Sequence, residues 1–341
     1  MQDTAQEDTD HPAEALAVYD LKPPVQAFAL PDAGGINNRT RGVRTGAGPF
    51  VWKTYLAHRA PAAIRYEHRL LAWLAQQPLS FATPCAIPTR AGDTLCRTLD
   101  STLWQALFIF LPGRPLDRSN LAHIEAFGAA LAELHGVLRS YPMDPVPDLT
   151  AYAVLEQIHP AIPDPYALTP GDFGLPPSVA SNDVLARWRT LLDATRAFIA
   201  GPYRTLPRQV IHGDVTPGNA FADDGRIAAI FDFEFAMPDA RAIDVASGLT
   251  YVMRIWERDD AAALAMAHRF YCGYRQRDNL TTTEIAALPQ LMLLREVVGT
   301  IWWAGRRLDG RPQRATARIV EMEALASWLQ RHKAAFAAAF R

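Results

Sequence analysis

Cysteine is scarce: Cys85, Cys96 and Cys272 are the only three in 341 residues, far apart, odd in number and without metal-ligand spacing. This usage argues against a disulfide framework and a zinc site, and for reduced thiols in a cytoplasmic protein. An excess of one charge is also lacking, with 34 Lys and Arg against 36 Asp and Glu. No basic run is long enough to track a phosphate backbone, so nucleic acid is not expected as a partner. Nor is there a stretch of about 18 consecutive apolar residues, which argues against a membrane partner. The acidic residues 1–14 carry no apolar core of a secretory signal and read as a frayed tail. Three catalytic signatures are missing as well: the G-x-x-x-x-G-K-[ST] phosphate loop, the G-x-S-x-G elbow of hydrolases and the H-E-x-x-H of zinc proteases. What remains is an ordinary globular composition, 49% hydrophobic and 21% charged, in a chain long enough for two domains.

The pattern changes near residue 110. Before it, residues 25–30, 39–45 and 50–55 are β-prone and are separated by Gly34-Gly35 and by Gly46-Ala47-Gly48-Pro49, which are turn signals. Pro61 suits the first position of a helix running to about residue 77, with Ile64, Leu71 and Leu74 on one face. A further strand over 104–111 runs up to Pro112-Gly113. Residues 15–110 are therefore read as one domain and 111–341 as a second, mainly helical one. Its helices are expected at 121–139, 184–200, 260–275, 283–308 and 314–340. The Pro-rich residues 141–177 read as a long connection with one short helix.

The chemistry concentrates in Val210-Ile211-His212-Gly213-Asp214-Val215-Thr216-Pro217-Gly218-Asn219 and in Asp232-Phe233-Glu234. Between them, Asp223-Asp224-Gly225-Arg226 is a tight-turn sequence, so residues 219–222 and 227–232 are expected to pair as a hairpin. With Asp224 and Gly225 as the loop residues, Asn219 falls opposite Ile230 and Asp232 becomes its diagonal neighbour on the same face, roughly 7–8 Å away. Two oxygen donors so placed suit one hard cation such as Mg²⁺. Asp214 precedes the hairpin in a Pro- and Gly-bearing loop, where a carboxylate can face an incoming hydroxyl.

The His-x-Asp-x-x-x-x-Asn spacing, followed by a strand and Asp-Phe, resembles the catalytic and metal loops of protein kinases. Gly213 after His212, and Glu234 in place of a Gly, make the segment more similar to the aminoglycoside phosphotransferase, choline kinase and type II homoserine kinase superfamily. Ala242-Ile243-Asp244-Val245-Ala246, Leu111-Pro112-Gly113-Arg114-Pro115-Leu116 and Leu131-Ala132-Glu133-Leu134-His135 resemble further segments of that superfamily. The resemblance spans roughly residues 25–310. It implies an α+β, protein-kinase-like two-lobed fold, and ATP and Mg²⁺ as cofactors. Asp214 would then be the catalytic carboxylate, with Asn219 and Asp232 as metal ligands. It also implies a small-molecule hydroxyl acceptor such as homoserine, choline or an aminoglycoside, in a monomer or homodimer. His212 is expected to brace the loop, His135 to sit in the core, and Asp244 to accept backbone N–H groups. Glu234 shares a face with Asp232 only if the strand continues through Phe233.

The N-terminal half offers a separate check. Lys53 lies in the apolar run Val51-Trp52-Lys53-Thr54-Tyr55, and Glu67 falls on the helix face that carries Ile64, Leu71 and Leu74. A carboxylate on an apolar face needs a cation, and a strand Lys paired with a helix Glu positions nucleotide phosphates in the kinase fold. Gly34-Gly35-Ile36-Asn37-Asn38 is a degenerate phosphate-covering loop, and residues 108–111 are the expected adenine linker. A kinase-like module that binds nucleotide without catalysis is the alternative, and the joint presence of Lys53, Asp214, Asn219 and Asp232 weighs against it. In the 283–308 helix, Trp302 and Trp303 point about 100° apart. One is expected to pack and the other to line a groove, either as ordinary packing or to receive an amine.

Overall fold

The computed structural model describes residues 16–30, 37–56, 60–97, 103–146, 149, 151–256, 258–310 and 314–340. Gly34, Gly35 and Ile36 of the phosphate-covering loop, and residues 1–14, lie outside them. Two compact units divide the chain, one of residues 1–78 and 82–112, the other of 79–81 and 113–341.

Among the described residues, the first unit is built from an antiparallel sheet and a helix. Strands β1 (Gln26–Phe28), β2 (Asn38–Thr45), β3 (Gly48–Tyr55), β4 (Ala86–Ile87) and β5 (Gln105–Ile109) lie in the order β1-β2-β3-β5-β4. Trp52 and Leu107, opposite each other in β3 and β5, pack with Leu16, Tyr19 and Val43 in the core. Helix α1 (Pro61–Leu74) opens with Pro61 at its N-terminus, where the missing N–H has no intrahelical partner to lose. Its buried side includes Ile64, Glu67, Leu71 and Leu74.

The second unit is mainly helical. It contains α2 (Leu121–Leu138), α3 (Val179–Ala200), α4 (Ala242–Val252), α5 (Asp260–Arg275), α6 (Thr282–Leu308), α7 (Ala315–Arg331) and α8 (Lys333–Ala338). Three short strand pairs are set among them: β7 (Arg208–Ile211) with β10 (Met237–Ala240), and β6 (Arg114–Pro115) with β8 (Ala220–Asp223), which pairs in turn with β9 (Arg226–Ile230). Among its described residues the Pro-rich connection holds three single 3-10 turns, at Leu155–Gln157, Pro165–Ala167 and Pro170–Phe173, instead of one short helix.

Two local expectations are corrected, and one helix needs separate comment. Helix α3 starts at Val179 instead of 184, because the Ser178 side chain accepts the N–H of Ser181 and caps it earlier. The single helix expected over 314–340 breaks at His332, whose φ of −105° and ψ of 16° leave the helical region. His332 stacks on Trp328 there, and the break lets Phe336 meet both Trp328 and Phe340. Finally, α6 is long and apolar enough to cross a membrane by length and composition, although no such segment was expected. Its buried acids identify it as a core helix: Glu284 pairs with Arg241 at 2.8 Å and Glu296 with Arg318 at 3.0 Å. A bilayer would leave such charges to find partners at higher cost.

Candidate active site

Strand β7 delivers the chain into the loop that carries His212, Gly213 and Asp214. The loop is fixed by one buried carboxylate at the start of α4: Asp244 accepts the His212 N–H at 2.8 Å and the Gly213 N–H at 2.9 Å. Buried His135 also contacts Asp244, at 3.1 Å, and its other ring nitrogen meets the Tyr274 hydroxyl at 2.9 Å. His135 and Asp244 thus have the structural roles expected of them. Gly213 has a φ of +83°, and a Cβ there would lie 2.2 Å from the Phe235 carbonyl oxygen, so only glycine fits.

His212 braces the loop from the other side. Its Nε2 lies 2.9 Å from the Phe231 carbonyl and must donate, while Nδ1 accepts the Asp214 N–H at 3.2 Å. The neutral Nε2–H tautomer satisfies both bonds at once. Two of the three sequence-predicted catalytic and metal residues, Asp214 and Asn219, meet just beyond. Asn219 ends the 3-10 turn Pro217–Asn219, and its Nδ2 donates to the Asp214 carbonyl at 2.9 Å and to Asp214 Oδ2 at 3.1 Å. Because the amide nitrogen faces two oxygens, the Asn219 Oδ1 points the other way, available as a ligand.

The hairpin turns at Asp224 and Gly225 as expected, both with positive φ. Its register does not hold: a bulge between Phe221 and Ala222 shifts the pairing by one residue, so Ala220 faces Ile230. Asn219 is therefore beside Phe231, whose N–H it accepts at 3.0 Å, and not opposite Ile230. The diagonal relation to Asp232 expected from a regular hairpin is therefore lost. Asp232 leaves the strand with φ 68° and ψ 57°, a left-handed conformation unusual for a non-glycine residue and concentrated at functional sites. A 3-10 turn follows at Phe233–Phe235, which ends the strand and buries Glu234, so Glu234 does not continue Asp232's face. In the first unit, Lys53 Nζ lies 3.4 Å from Glu67 Oε1, both side chains are buried, and the ammonium lies 4.9 Å from the Tyr55 ring centre.

Two residues of this neighbourhood escaped the sequence reading. Arg295 of α6 donates from Nη2 to Asp214 Oδ1 at 2.6 Å. Tyr152, from the Pro-rich connection, donates its hydroxyl to the Gly213 carbonyl and lies under the Arg295 guanidinium, 5.5 Å from ring centre to Cζ. Burial pushes the Tyr152 phenol well above its usual range, so it stays a donor. The available signal was the adjacent Arg295-Glu296 inside an apolar helix, where a charge without a purpose is costly. Trp303 is buried and Trp302 partly so. The Trp302 ring makes a T-shaped contact with His159, centres 5.2 Å apart, and the Arg306 guanidinium lies 5.9 Å from its centre.

A carboxylate on a braced loop, followed along the chain by an amide and a second carboxylate after a hairpin, is the order of groups that a phosphotransferase of the protein-kinase type uses. The chain belongs to the APH phosphotransferase enzyme family, whose pattern it matches over residues 29–280. It is 33% identical over 285 residues to a homoserine kinase of Caulobacter sp. (strain K31), covering 83% of this chain and 81% of that one. It is 29% identical over 282 residues to a homoserine kinase of Phenylobacterium zucineum, covering 83% and 80%. Among solved structures, a microcompartment-associated aminopropanol kinase superimposes with a TM-score of 0.70 at 18% identity, over 93% of this chain and 95% of that one. An aminoglycoside phosphotransferase from Alicyclobacillus acidocaldarius gives 0.60 at 19%, over 97% and 99%. The fold is thus α+β and protein-kinase-like, and the chain is an ATP-dependent phosphotransferase acting on a small molecule.

Proposed function

We propose that this chain moves the γ-phosphoryl group of ATP to the side-chain hydroxyl of homoserine, with the first unit binding nucleotide and the second carrying the catalytic loop and acceptor pocket. The carrying observation is the Asp214 loop, held by Asp244, His212 and Asn219, in a chain whose homoserine-kinase relatives align over four-fifths of their length. Asp214 orients the acceptor hydroxyl and takes its proton as the new O–P bond forms. Both its carboxylate oxygens already accept one bond each, to Arg295 and Asn219, and each keeps a lone pair for the hydroxyl. Lys53, held by Glu67, positions the nucleotide phosphates.

The outward amide oxygen of Asn219 and the carboxylate of Asp232 are hard oxygen donors and fit Mg²⁺, which these two residues would hold. When bound, the ion supplies charge neutralisation on the β- and γ-phosphates. The free cysteines and the use of ATP support a cytoplasmic setting. The test is ATP turnover against homoserine, choline, ethanolamine and aminoglycosides, with wild type and Asp214→Asn. Homoserine should be the best acceptor, and the variant should lose roughly 10²–10⁴-fold in kcat. A better rate with choline or an aminoglycoside would refute the homoserine assignment, and unchanged turnover in the variant would remove Asp214 from its role.

A further inference from the structure

A catalytic carboxylate with a guanidinium against it selects among acceptors by charge. The acceptor must bring its hydroxyl to Asp214, so whatever the acceptor carries a few bonds from that hydroxyl comes close to Arg295. The guanidinium has five N–H donors. Among the described residues its one hydrogen bond is the 2.6 Å contact to Asp214, and its Nε is buried without an acceptor. Elsewhere on α6 the neighbouring charge is already matched, since Glu296 pairs with Arg318. Burial works against the charged guanidinium, while the carboxylates of Asp214 and Glu296 favour its protonated form. The result is a fixed cation, 12% exposed, beside a carboxylate that is 22% exposed and with donors to spare.

We infer that Arg295 is the specificity-determining residue of the acceptor pocket and receives a carboxylate on the acceptor, so that the substrate class is a short hydroxy acid rather than a simple amino alcohol. The inference rests on the phosphotransferase reading of Asp214 and sharpens its substrate. Four single bonds of about 1.5 Å separate the hydroxyl oxygen of homoserine from its carboxylate carbon, a span of roughly 5 Å. That is the distance from Asp214 to the far edge of a guanidinium touching it. A carboxylate there gains charge-assisted hydrogen bonds from donors that otherwise lack acceptors. An acceptor whose only charge is an ammonium meets a like charge in the same place. The Tyr152 ring beneath and its hydroxyl bond to Gly213 tie the guanidinium to the loop that carries Asp214.

The test compares acceptors that differ only in the carboxylate: homoserine with 3-aminopropan-1-ol, serine with ethanolamine, and threonine with 1-aminopropan-2-ol. Wild type should favour the acid of its preferred pair by at least about 100-fold in kcat/KM, because a site that bonds a polar group rejects the analogue without it. Arg295→Gln should collapse that ratio to within a few-fold of unity, chiefly by raising the KM of the acid. Arg295→Lys, which keeps the charge and loses the fork, should retain part of it. If Arg295 only positions Asp214, both members of the pair fall together and the ratio is unchanged, which overturns the inference. A wild-type ratio near or below one overturns it without any variant, and does so even if Arg295→Gln does not fold. Preference for serine or threonine over homoserine would refute the homoserine assignment and leave the role of Arg295 standing. Turnover of none of the three acids would sink both.

Discussion

Replacing Asp244 by Asn tests whether a residue remote from the substrate sets the geometry of the catalytic loop. The carboxylate accepts the N–H groups of His212 and Gly213 at 2.8 and 2.9 Å, one on each oxygen, and is fully buried. An amide of the same shape has one oxygen, so it keeps one of these bonds and turns an N–H₂ donor toward the other N–H. A hydrogen bond to a charged group contributes about 1.5–3 kcal/mol, and a buried donor left without an acceptor costs about 1–3 kcal/mol. The expected loss is therefore roughly 2–4 kcal/mol. With a urea slope of about 1–3 kcal/mol per molar, the midpoint of unfolding should fall by roughly 1 M or more. The same slackening frees residues 212–214, and misplacing a catalytic group by about 1 Å costs up to roughly 100-fold in rate. Urea titration by circular dichroism and steady-state kinetics of one protein preparation measure both effects. His135→Gln serves as the control, since it leaves both backbone bonds to Asp244 intact and should cost less in each assay. Full stability with turnover abolished would refute the scaffold role and move Asp244 into the chemistry. Wild-type behaviour in both assays would mean that the loop is held by other contacts.

Gly213→Ala should destabilise the fold by several kcal/mol, because the new Cβ would sit 2.2 Å from a backbone oxygen at a φ of +83°, and thermal melting checks this. Asp232→Ala should weaken binding of the Mg²⁺–nucleotide far more than binding of adenosine, and calorimetry showing equal losses would contradict a metal role. Glu67→Gln removes the charge opposite buried Lys53 and should raise the KM for ATP at least several-fold while leaving acceptor KM unchanged. The Arg65 hydrogen bond, at 2.6 Å, holds the Asp93 carboxyl below its usual range. Asp93 therefore contributes stability that is present above its unfolded pKa of about 3.9 and is lost as pH falls through the lower folded value. Both groups are more than a third exposed, so the contribution should stay below about 1 kcal/mol. NMR titration of Asp93 in Arg65→Met should return it toward the ordinary carboxylate value.

How much of this site could be read from the residues depends on the range over which each contact acts. The His212-Gly213-Asp214 loop, Asn219 and the Asp224-Gly225 turn lie within fourteen residues of one another, and their spacing restricts them to a few arrangements. Lys53 and Glu67 were found because a strand period and a helix period each leave one charge on an apolar face, and the structure puts the two together at 3.4 Å. The hairpin register was missed because Phe221 and Ala222 carry no mark that distinguishes a bulge from a regular pair; no glycine or proline announces it. The break at His332 is similar, since the reason for it is the ring of Trp328 packing back on the chain. Arg295 is the instructive failure. It lies 81 residues from Asp214, in the middle of a helix whose apolar pattern says only that it is buried. Periodicity tells which positions of a helix face inward, but not which loop they face. Arg295 and Glu296 are neighbours in sequence and part company in space, one to Asp214 and the other to Arg318. Two opposite charges side by side in an apolar helix look like a pair that cancels. They do not cancel each other, because adjacent helical side chains point about 100° apart, and each must be answered by a different part of the fold. Arg295, and with it the proposed selection of the acceptor, is therefore among the features that a motif cannot contain.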